Sequence, residues 1–368
     1  MPEGKLLTKG LAERIGERDK GRIIFPDRSF EGDLPSHTRV LEKLKSYLDE
    51  HAAWPIHAIG HRVVHGGNEF VEPVRINEKV KQKIRSLFNL APLHNPPNLA
   101  GIEASEQYFP GIPQVAVFDT AFHQTIPEFE HRYAIPEKFY RDGIRQYGFH
   151  GISHSYIAKQ VMKKSRAAVK VVSLHLGNGA SATAILNGKS VAHSMGFGPL
   201  SGLIMGTRSG DIDPSVLLYW MQQLAMTAYE ISRILNKESG LRGLTGYNDM
   251  RELERLYEKR EARALLAIRM YVNRIKKYIG GYAALMNGLD ALVFTAGIGE
   301  HSSLIRKKTC EDLDYLGLSL DAEKNLNPQL HDGLVHAEDS RVKIYVIPTN
   351  EELEIAAQTY QVLNPHSS

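Results

Sequence analysis

An α/β fold is what this sequence predicts, and three observations predict it. Apolar, β-prone runs alternate with amphipathic helical patterns along the chain, glycine-rich turns follow several of those runs, and 368 residues are enough for two separately cored domains. The clearest strand signal is VVSLHLGNGASATAI, residues 171–185. A β-prone run enters a glycine turn, small β-tolerant residues follow it, and Asn187-Gly188 makes a second turn before KSVAHSMG. This reads as strand, turn, strand, turn, strand, where a dinucleotide fold would place a helix after the first turn.

The other elements follow in order. Residues 5–33 read as short strands with polar turns, and DLPSHTRVLEKLKSYLDEH as a capped amphipathic helix. AIGHRVVHGG reads as a buried strand running into a Gly-Gly turn, NEKVKQKIRSLF as a helix, and APLHNPPN as a loop whose prolines forbid regular structure. QVAVFDTAF is a strand ending in an acid. Residues 249–287 carry helical periodicity, with Leu253, Leu256, Leu265, Ile268 and Tyr271 on the apolar stripe. ALVFTAGIGEH reads as a strand into a glycine loop, and SSLIRKKTCEDL as a helix capped by Ser302 or Ser303. KIYVIPTNEELEIAAQTYQVL closes the chain as strand, proline turn and helix.

Composition narrows the function classes. The chain is 42% hydrophobic and 24% charged, as globular proteins are, and its net charge of +3 is too small and too evenly spread to indicate a nucleic-acid partner. The single cysteine, Cys310, forms no internal disulfide, which fits a reducing compartment. No apolar run reaches the ~18 residues of a membrane span, and MPEGKLLTKG reads as neither signal nor transit peptide. The expected location is the cytoplasm.

Several residues are candidates for chemistry. GIGEH and LGNG each follow an apolar strand and offer backbone N–H groups to an anion or a nucleotide, although either could be a plain tight turn. Arg62 and Arg208 lie beside glycines at strand ends or in loops, where a planar guanidinium suits carboxylate or phosphate oxygens; a structural salt bridge is the alternative. Asp119 and Glu351 both follow strands, the position from which a carboxylate faces a crevice or caps a turn. The histidines at 57, 61, 65, 94, 123, 150, 154 and 175 raise zinc as a possibility, but no HExxH or matched ligand set is present. Donation to an oxyanion is the more economical role, and His150, among glycines, is the best placed for it.

HRVVHGG, APLHNPPN, VFDTAFHQTIPE, YGFHGISH, HLGNGAS, SMGFGPLSGLIMGTRSGDIDP, FTAGIGEH and IPTNEELEIA occur in this order. From about residue 5 to residue 360 the chain resembles the acetate/propionate/butyrate kinase family of the sugar-kinase/Hsp70/actin superfamily. The resemblance implies two duplicated actin-like, ribonuclease H-like domains with a mobile interdomain cleft. The first spans 1–118 plus 352–368 and the second, nucleotide-binding, spans 119–351. It implies reversible transfer of the ATP γ-phosphoryl group to acetate with Mg2+ (Mn2+ as a substitute), giving acetyl phosphate and ADP.

By the same resemblance, Arg62 and Arg208 bracket the acyl carboxylate and the transferring phosphoryl group, and Asp119 and Glu351 organise Mg2+, Glu351 as metal ligand. His150 donates to phosphoryl oxygens. Val64, Leu93, Phe149 and Pro199 form the apolar pocket for the acid's methyl group. His175, Leu176, Gly177, Asn178 and Gly179, then Asp249, Met250 and Arg251, then Gly297, Ile298, Gly299, Glu300 and His301, line the nucleotide site. Relatives are generally homodimers, and the helical region after residue 260 is the expected interface.

Two departures accompany these matches. The family opens with a strand and a serine-rich hairpin resembling NAGSSSLK, whereas KGLAERIG here corresponds to the family segment on the C-terminal side of that hairpin. The expectation is a first domain that lacks its phosphate hairpin and an inner strand, so that a neighbouring strand keeps unpaired backbone groups. Because the remaining site set is intact, a sequence that starts downstream of the family's first strand is the favoured expectation, and a non-catalytic nucleotide-binding protein is the alternative. The other departure is His301, where relatives often carry asparagine.

Overall fold

The computed structural model describes residues 4–51, 55–92, 94–164 and 169–365. The chain divides into two compact units, Met1–Ala121 with Glu351–Ser368, and Phe122–Asn350.

In the first unit an antiparallel meander, β1 (Leu11–Glu13), β2 (Gly21–Ile24) and β3 (Ser29–Gly32), packs with the helix His37–His51 around Ile23, Phe25, Leu34 and Tyr47. Ser36 starts that helix, its hydroxyl accepting from the Arg39 N–H at 3.4 Å. A second sheet has the order β4 (Ile59–Val63), β6 (Gln114–Phe118), β5 (Val74–Arg75), with β4 and β6 parallel and β5 antiparallel to β6. The closing helix Glu351–Leu363 packs on β4 and β6.

Two expectations need correction here. β4 is not a buried strand: only Val63 is buried and the other residues are intermediate or exposed, because β4 is a sheet edge with β6 as its one strand partner among the described residues. The prolines of APLHNPPN do not exclude regular structure either. They open the helix Asn95–Tyr108, where proline's missing N–H would have had no intrahelical partner.

The second unit holds a five-stranded sheet of order β11-β10-β7-β8-β9: β7 is Lys170–Leu176, β8 Ala180–Leu186, β9 Lys189–His193, β10 Ala291–Thr295 and β11 Lys343–Val346. β7, β8 and β9 pair antiparallel, as the glycine turns and small residues predict, and β10 runs parallel to both β7 and β11. Asn187 and Gly188, with φ of 51° and 77°, supply the two left-handed residues that the β8–β9 turn needs. The helix Gly151–Lys164 contributes Ile157, Ala158 and Val161 to a core with Val171, Ile185, Val293 and Tyr345. Strand residues of the opposite parity, Val172, Leu174, Leu292 and Ile344, are equally buried, so both faces of the sheet are covered.

Residues 249–287 form two helices, Met250–Glu258 and Ala262–Leu285. Leu253, Ile268 and Tyr271 are buried as the periodicity predicts, but Leu265 is 36% exposed; Ala264 and Ala267 take the inward positions beside it. The segment after β10 is also corrected. AGIGEH is a helical turn, Ala296–His301, rather than a loop, and the helix Ser303–Cys310 follows with Ser302 as its cap.

Candidate functional site

Functional candidates fall into one cluster in each unit. In the second unit, a pocket of about 620 Å³ is lined by Gly177 and Asn178 at the β7–β8 turn, Asp249, Met250 and Arg251 at a helix start, and Gly297, Ile298 and His301 on the turn after β10. Asn248, Glu254 and Ser302 line it too and were not singled out from the sequence. Glu254 accepts from the Ser302 hydroxyl, a contact between segments 48 residues apart that no local motif reveals.

Several expected nucleotide residues lie outside this lining. Leu176 is fully buried as a strand residue, so its side chain packs the core rather than lining the pocket. Gly299 is buried, and the Glu300 carboxylate accepts from the Thr349 N–H at 3.1 Å. His175 stacks on His150, ring centroids 4.3 Å apart, and bonds Ser153 through Nδ1 at 2.9 Å.

Each part of the pocket wall has an identifiable anchor. Asp249 caps its helix, accepting the Arg251 N–H at 2.9 Å, and pairs with the Arg251 guanidinium at 2.6 Å; that guanidinium holds the carboxyl below its usual range. His301 Nδ1 lies 2.9 Å from the Gly297 carbonyl, which only accepts, so Nδ1 carries a proton and donates it there. Arg306 is 1% exposed and was missed from the sequence. It donates to the Gly299 and Glu300 carbonyls, each at 2.9 Å, and to Asn325 at 2.7 and 2.6 Å, while burial pulls its pKa down to about 10. Arg306→Met strands those carbonyls, so a stability loss of about 2 kcal/mol is expected, checked by urea unfolding.

Beyond the pocket, the β7–β8 turn meets His150 and Arg208. A Cβ on Gly179 would lie 3.4 Å from His150 Nε2 and 3.9 Å from Arg208 Nη1, so both side chains close on the tip of the turn. Gly206 N–H donates to the Asn178 carbonyl at 3.0 Å, tying the arginine loop to the same turn. Arg208 is half-buried, donates to the Pro199 carbonyl at 3.0 Å, and forms no ion pair with a carboxylate among the described residues. Burial lowers its pKa, the mark of a cation without a counter-charge.

His150 has φ of 56°, a left-handed conformation that a non-glycine residue keeps only when its surroundings impose it. Those surroundings are buried histidines. Phe149, 2% exposed, donates its N–H to His193 Nε2 at 3.1 Å, and its carbonyl bonds His123 Nε2 at 3.0 Å. His193 Nδ1 in turn meets Thr183 at 2.8 Å, and His123 Nδ1 meets Ser190 at 2.9 Å. Burial pushes the pKa of His123 down to about 4 and that of His193 well down, so both are neutral clamps on the Phe149 peptide groups.

The first unit brings Arg62, Asp119 and Glu351 together. Parallel pairing of β4 with β6 puts Arg62 beside the strand end that Asp119 terminates. Arg62 Nε donates to both Asp119 oxygens at 3.2 and 3.0 Å and Nη2 donates at 2.7 Å; Glu351 lies 3.6 Å from Nη1. Asp119 is 1% exposed, and the two carboxylates hold the guanidinium well above its usual pKa. Burial raises the Glu351 pKa, an effect that Arg62 opposes and Asp119 adds to.

Val64 is half-buried beside this cluster in sequence, its N–H donating to Asn98 at 3.1 Å. The Asn95 amide exchanges two bonds with the His65 backbone, at 3.1 and 3.0 Å, so HNPPN holds the end of β4 in place. Phe149 and Pro199 belong to the second unit, and Leu93 lies outside the described residues.

Comparisons with known proteins agree across nearly the whole chain. A model of the acetokinase family matches residues 1–357. The chain is 45% identical to an acetate kinase of Dictyoglomus thermophilum and 46% identical to one of Thermotoga maritima, with 99% of this chain and 94% of each relative covered. Among solved structures it is similar to Porphyromonas gingivalis acetate kinase (TM-score 0.90, 41% identity, 99% and 95% of the two chains covered). It is also similar to a propionate kinase from Francisella tularensis (TM-score 0.92, 44% identity, 97% and 94% covered). The strand-hairpin pocket, the histidine-clamped His150 and the Arg62 carboxylate cluster are thus features of a chain that belongs to the acetokinase family.

Proposed function

We propose that this protein reversibly transfers the γ-phosphoryl group of ATP to acetate, giving acetyl phosphate and ADP. The observation that carries the reading is Arg208, a half-buried guanidinium without a carboxylate partner among the described residues, next to His150 at the tip of a turn that also lines a nucleotide-sized pocket. The transferring group is an anion approached by another anion, so neutralisation and alignment are most of the catalytic task. Arg208 supplies fixed positive charge to the equatorial oxygens, and His150 adds a hydrogen bond. Acetate is ionised at neutral pH and needs no general base, which favours direct in-line transfer without a phosphoenzyme.

Arg62 would take the acyl carboxylate, with Asp119 orienting its guanidinium. The carboxylates fit Mg2+: Glu351 is mostly buried, its carboxyl holds its proton more tightly than usual, and Mg2+ prefers one or two carboxylates plus waters and phosphate oxygens. When bound, the metal would neutralise phosphate charge from Glu351 and Asp119.

Glu351 gives a test that needs no turnover. Its folded pKa is raised above 4.5, so its stabilising contribution is present at low pH and is lost as pH rises through the folded value. Without metal, Glu351→Gln is expected to raise Tm at pH 7 by about 2 °C. Millimolar Mg2+ is expected to raise Tm of the parent but not of the variant. Equal Mg2+ responses would remove Glu351 from the metal site.

Acetate, Mg2+-ATP and hydroxylamine mixed with the purified chain are expected to yield acetyl hydroxamate. ATP binding without product would favour the non-catalytic reading instead. Propionate is the second reading, favoured by the Francisella relative named a propionate kinase. One methylene in an apolar pocket is worth about 1–3 kcal/mol, so Val64→Ala is expected to raise the propionate-to-acetate ratio of kcat/KM about tenfold. An unchanged ratio would take Val64 out of the acyl pocket.

A homodimer is part of the proposal. The helical region after residue 260, the expected interface, exposes Leu266 and Leu285 at 56% each. Leu218, Tyr219, Met221, Leu224 and Tyr229 are each 49% exposed or more around the helix Pro214–Gln223, and both stretches are apolar surface that a partner copy would cover. Among the described residues no helix is long and apolar enough to cross a membrane.

A further inference from the structure

His150 Nδ1 lies 3.0 Å from the Ser181 hydroxyl, which lies 2.8 Å from His154 Nε2, and His154 Nδ1 lies 2.9 Å from the Ser173 hydroxyl. Ser181, His154 and Ser173 are all fully buried, on β8, the helix Gly151–Lys164 and β7. We propose that these residues form a directional hydrogen-bond chain that holds His150 in its Nε2–H tautomer, so that a donor is presented at the β7–β8 turn. The proposal rests on the phosphotransferase reading only for the use made of that N–H.

The direction follows from donor counting. A serine hydroxyl has one proton and a neutral imidazole has one, so fixing one bond fixes the rest. In one direction Ser173 donates to His154 Nδ1, His154 Nε2–H donates to Ser181, and Ser181 donates to His150 Nδ1. Every buried proton then has an acceptor, and His150 carries its own on Nε2. In the reverse direction His150 Nδ1–H donates to Ser181, Ser181 to His154 Nε2, and His154 Nδ1–H to Ser173.

The reverse arrangement strands the Ser173 proton, because His154 is the only side-chain partner of that hydroxyl among the described residues. A buried donor without an acceptor is penalised more than a formed bond is rewarded. The forward direction also gives both rings the Nε2–H form, the commoner one for a free neutral histidine side chain. His154 can serve as a fixed link because burial and its histidine neighbours keep it neutral.

Ser173, Ser181 and His154 are therefore positioning residues for His150. In the 15N-histidine-labelled full chain, with resonances assigned by H150Q, His150 is expected to show a pyridine-type Nδ1 and a pyrrole-type Nε2. Ser181→Ala removes the hydroxyl that donates to His150 Nδ1, so averaged His150 shifts and a roughly tenfold lower kcat, with KM for ATP within about twofold, are expected. H154Q keeps an amide donor for Ser181 and is expected to lose less turnover than H154L.

A pyrrole-type Nδ1 on His150 in the parent, or unchanged His150 shifts in folded S181A, would overturn the proposal. If S181A does not fold, H154L, which removes the donor that fixes the Ser181 hydroxyl, gives the same NMR test. These spectra need no turnover, so failure of the chain and failure of the hydroxamate assay are separate results.

Discussion

Arg208→Ala is expected to lower kcat about a thousandfold while changing KM for ATP less than about threefold. The expectation rests on the contacts of this side chain. Its Nη1 donates to the Pro199 carbonyl, which orients the guanidinium without neutralising it, and no carboxylate among the described residues competes for its charge. Burial has already removed part of its water, so the site is preorganised for an anion before one arrives. Such a group is worth most where charge spreads over the equatorial oxygens, in the transition state, which is why kcat rather than KM takes the loss. Arg208→Lys restores the charge but not the planar fork, and is expected to recover only part of the rate. Turnover close to that of the parent in R208A, measured by hydroxamate formation, would remove Arg208 from the chemistry.

Gly240→Ala is expected to lower kcat about a hundredfold without touching a ligand-contacting side chain. Gly240 has φ of +62°, and a Cβ there would overlap the Met205 carbonyl and lie 2.5 Å from that of Arg208. Around it runs a backbone ladder: Ser239 N–H donates to the Thr207 carbonyl at 3.1 Å, Leu241 to Met205 at 2.9 Å and Arg242 to Gly206 at 2.9 Å. The π-helical turn Ile234–Glu238 adds a bond from the Thr207 hydroxyl to the Asn236 carbonyl at 2.9 Å and one from Ser209 N–H to the Leu235 carbonyl at 3.1 Å. The loop that carries Arg208 is thus held on its backbone, and alanine has to push that backbone away. A stability loss of about 2 kcal/mol should accompany the rate loss, with an unchanged far-ultraviolet spectrum. Parent-like kcat in G240A would show that the ladder does not set the arginine.

Legibility in the sequence divides along the range of the interaction. The β7–β8–β9 meander was readable because Gly177, Gly179 and Asn187-Gly188 encode turns locally and the segment between them is too short for a typical helix and tolerates a strand. The glycine segments LGNG and GIGEH stand out for the same reason, and residues of both line one pocket, the second from a helical turn rather than a loop. The prolines after His94 misled because the residue type names two opposite contexts, a loop or the first turn of a helix, and only the partners of Asn95 and Asn98 decide between them. β4 misled because its run of residues records apolarity, whereas its burial depends on how many strands flank it. Arg306 left no signal at all: its partners are carbonyl oxygens and Asn325, which a charge pattern cannot reveal. The histidines pointed to a cluster, but the roles of His123 and His193 as clamps on Phe149 needed their hydrogen bonds.

The central claim is that Arg208 and His150 bind the migrating phosphoryl group more tightly in its planar transition state than in ATP. Binding of ADP with fluoroaluminate and acetate, a planar mimic of that state, compared with binding of ADP alone in the parent and in R208A, tests it most directly. The account predicts that R208A weakens the mimic about a thousandfold and leaves ADP affinity within about threefold. Equal losses for both ligands, or none for the mimic, would contradict it.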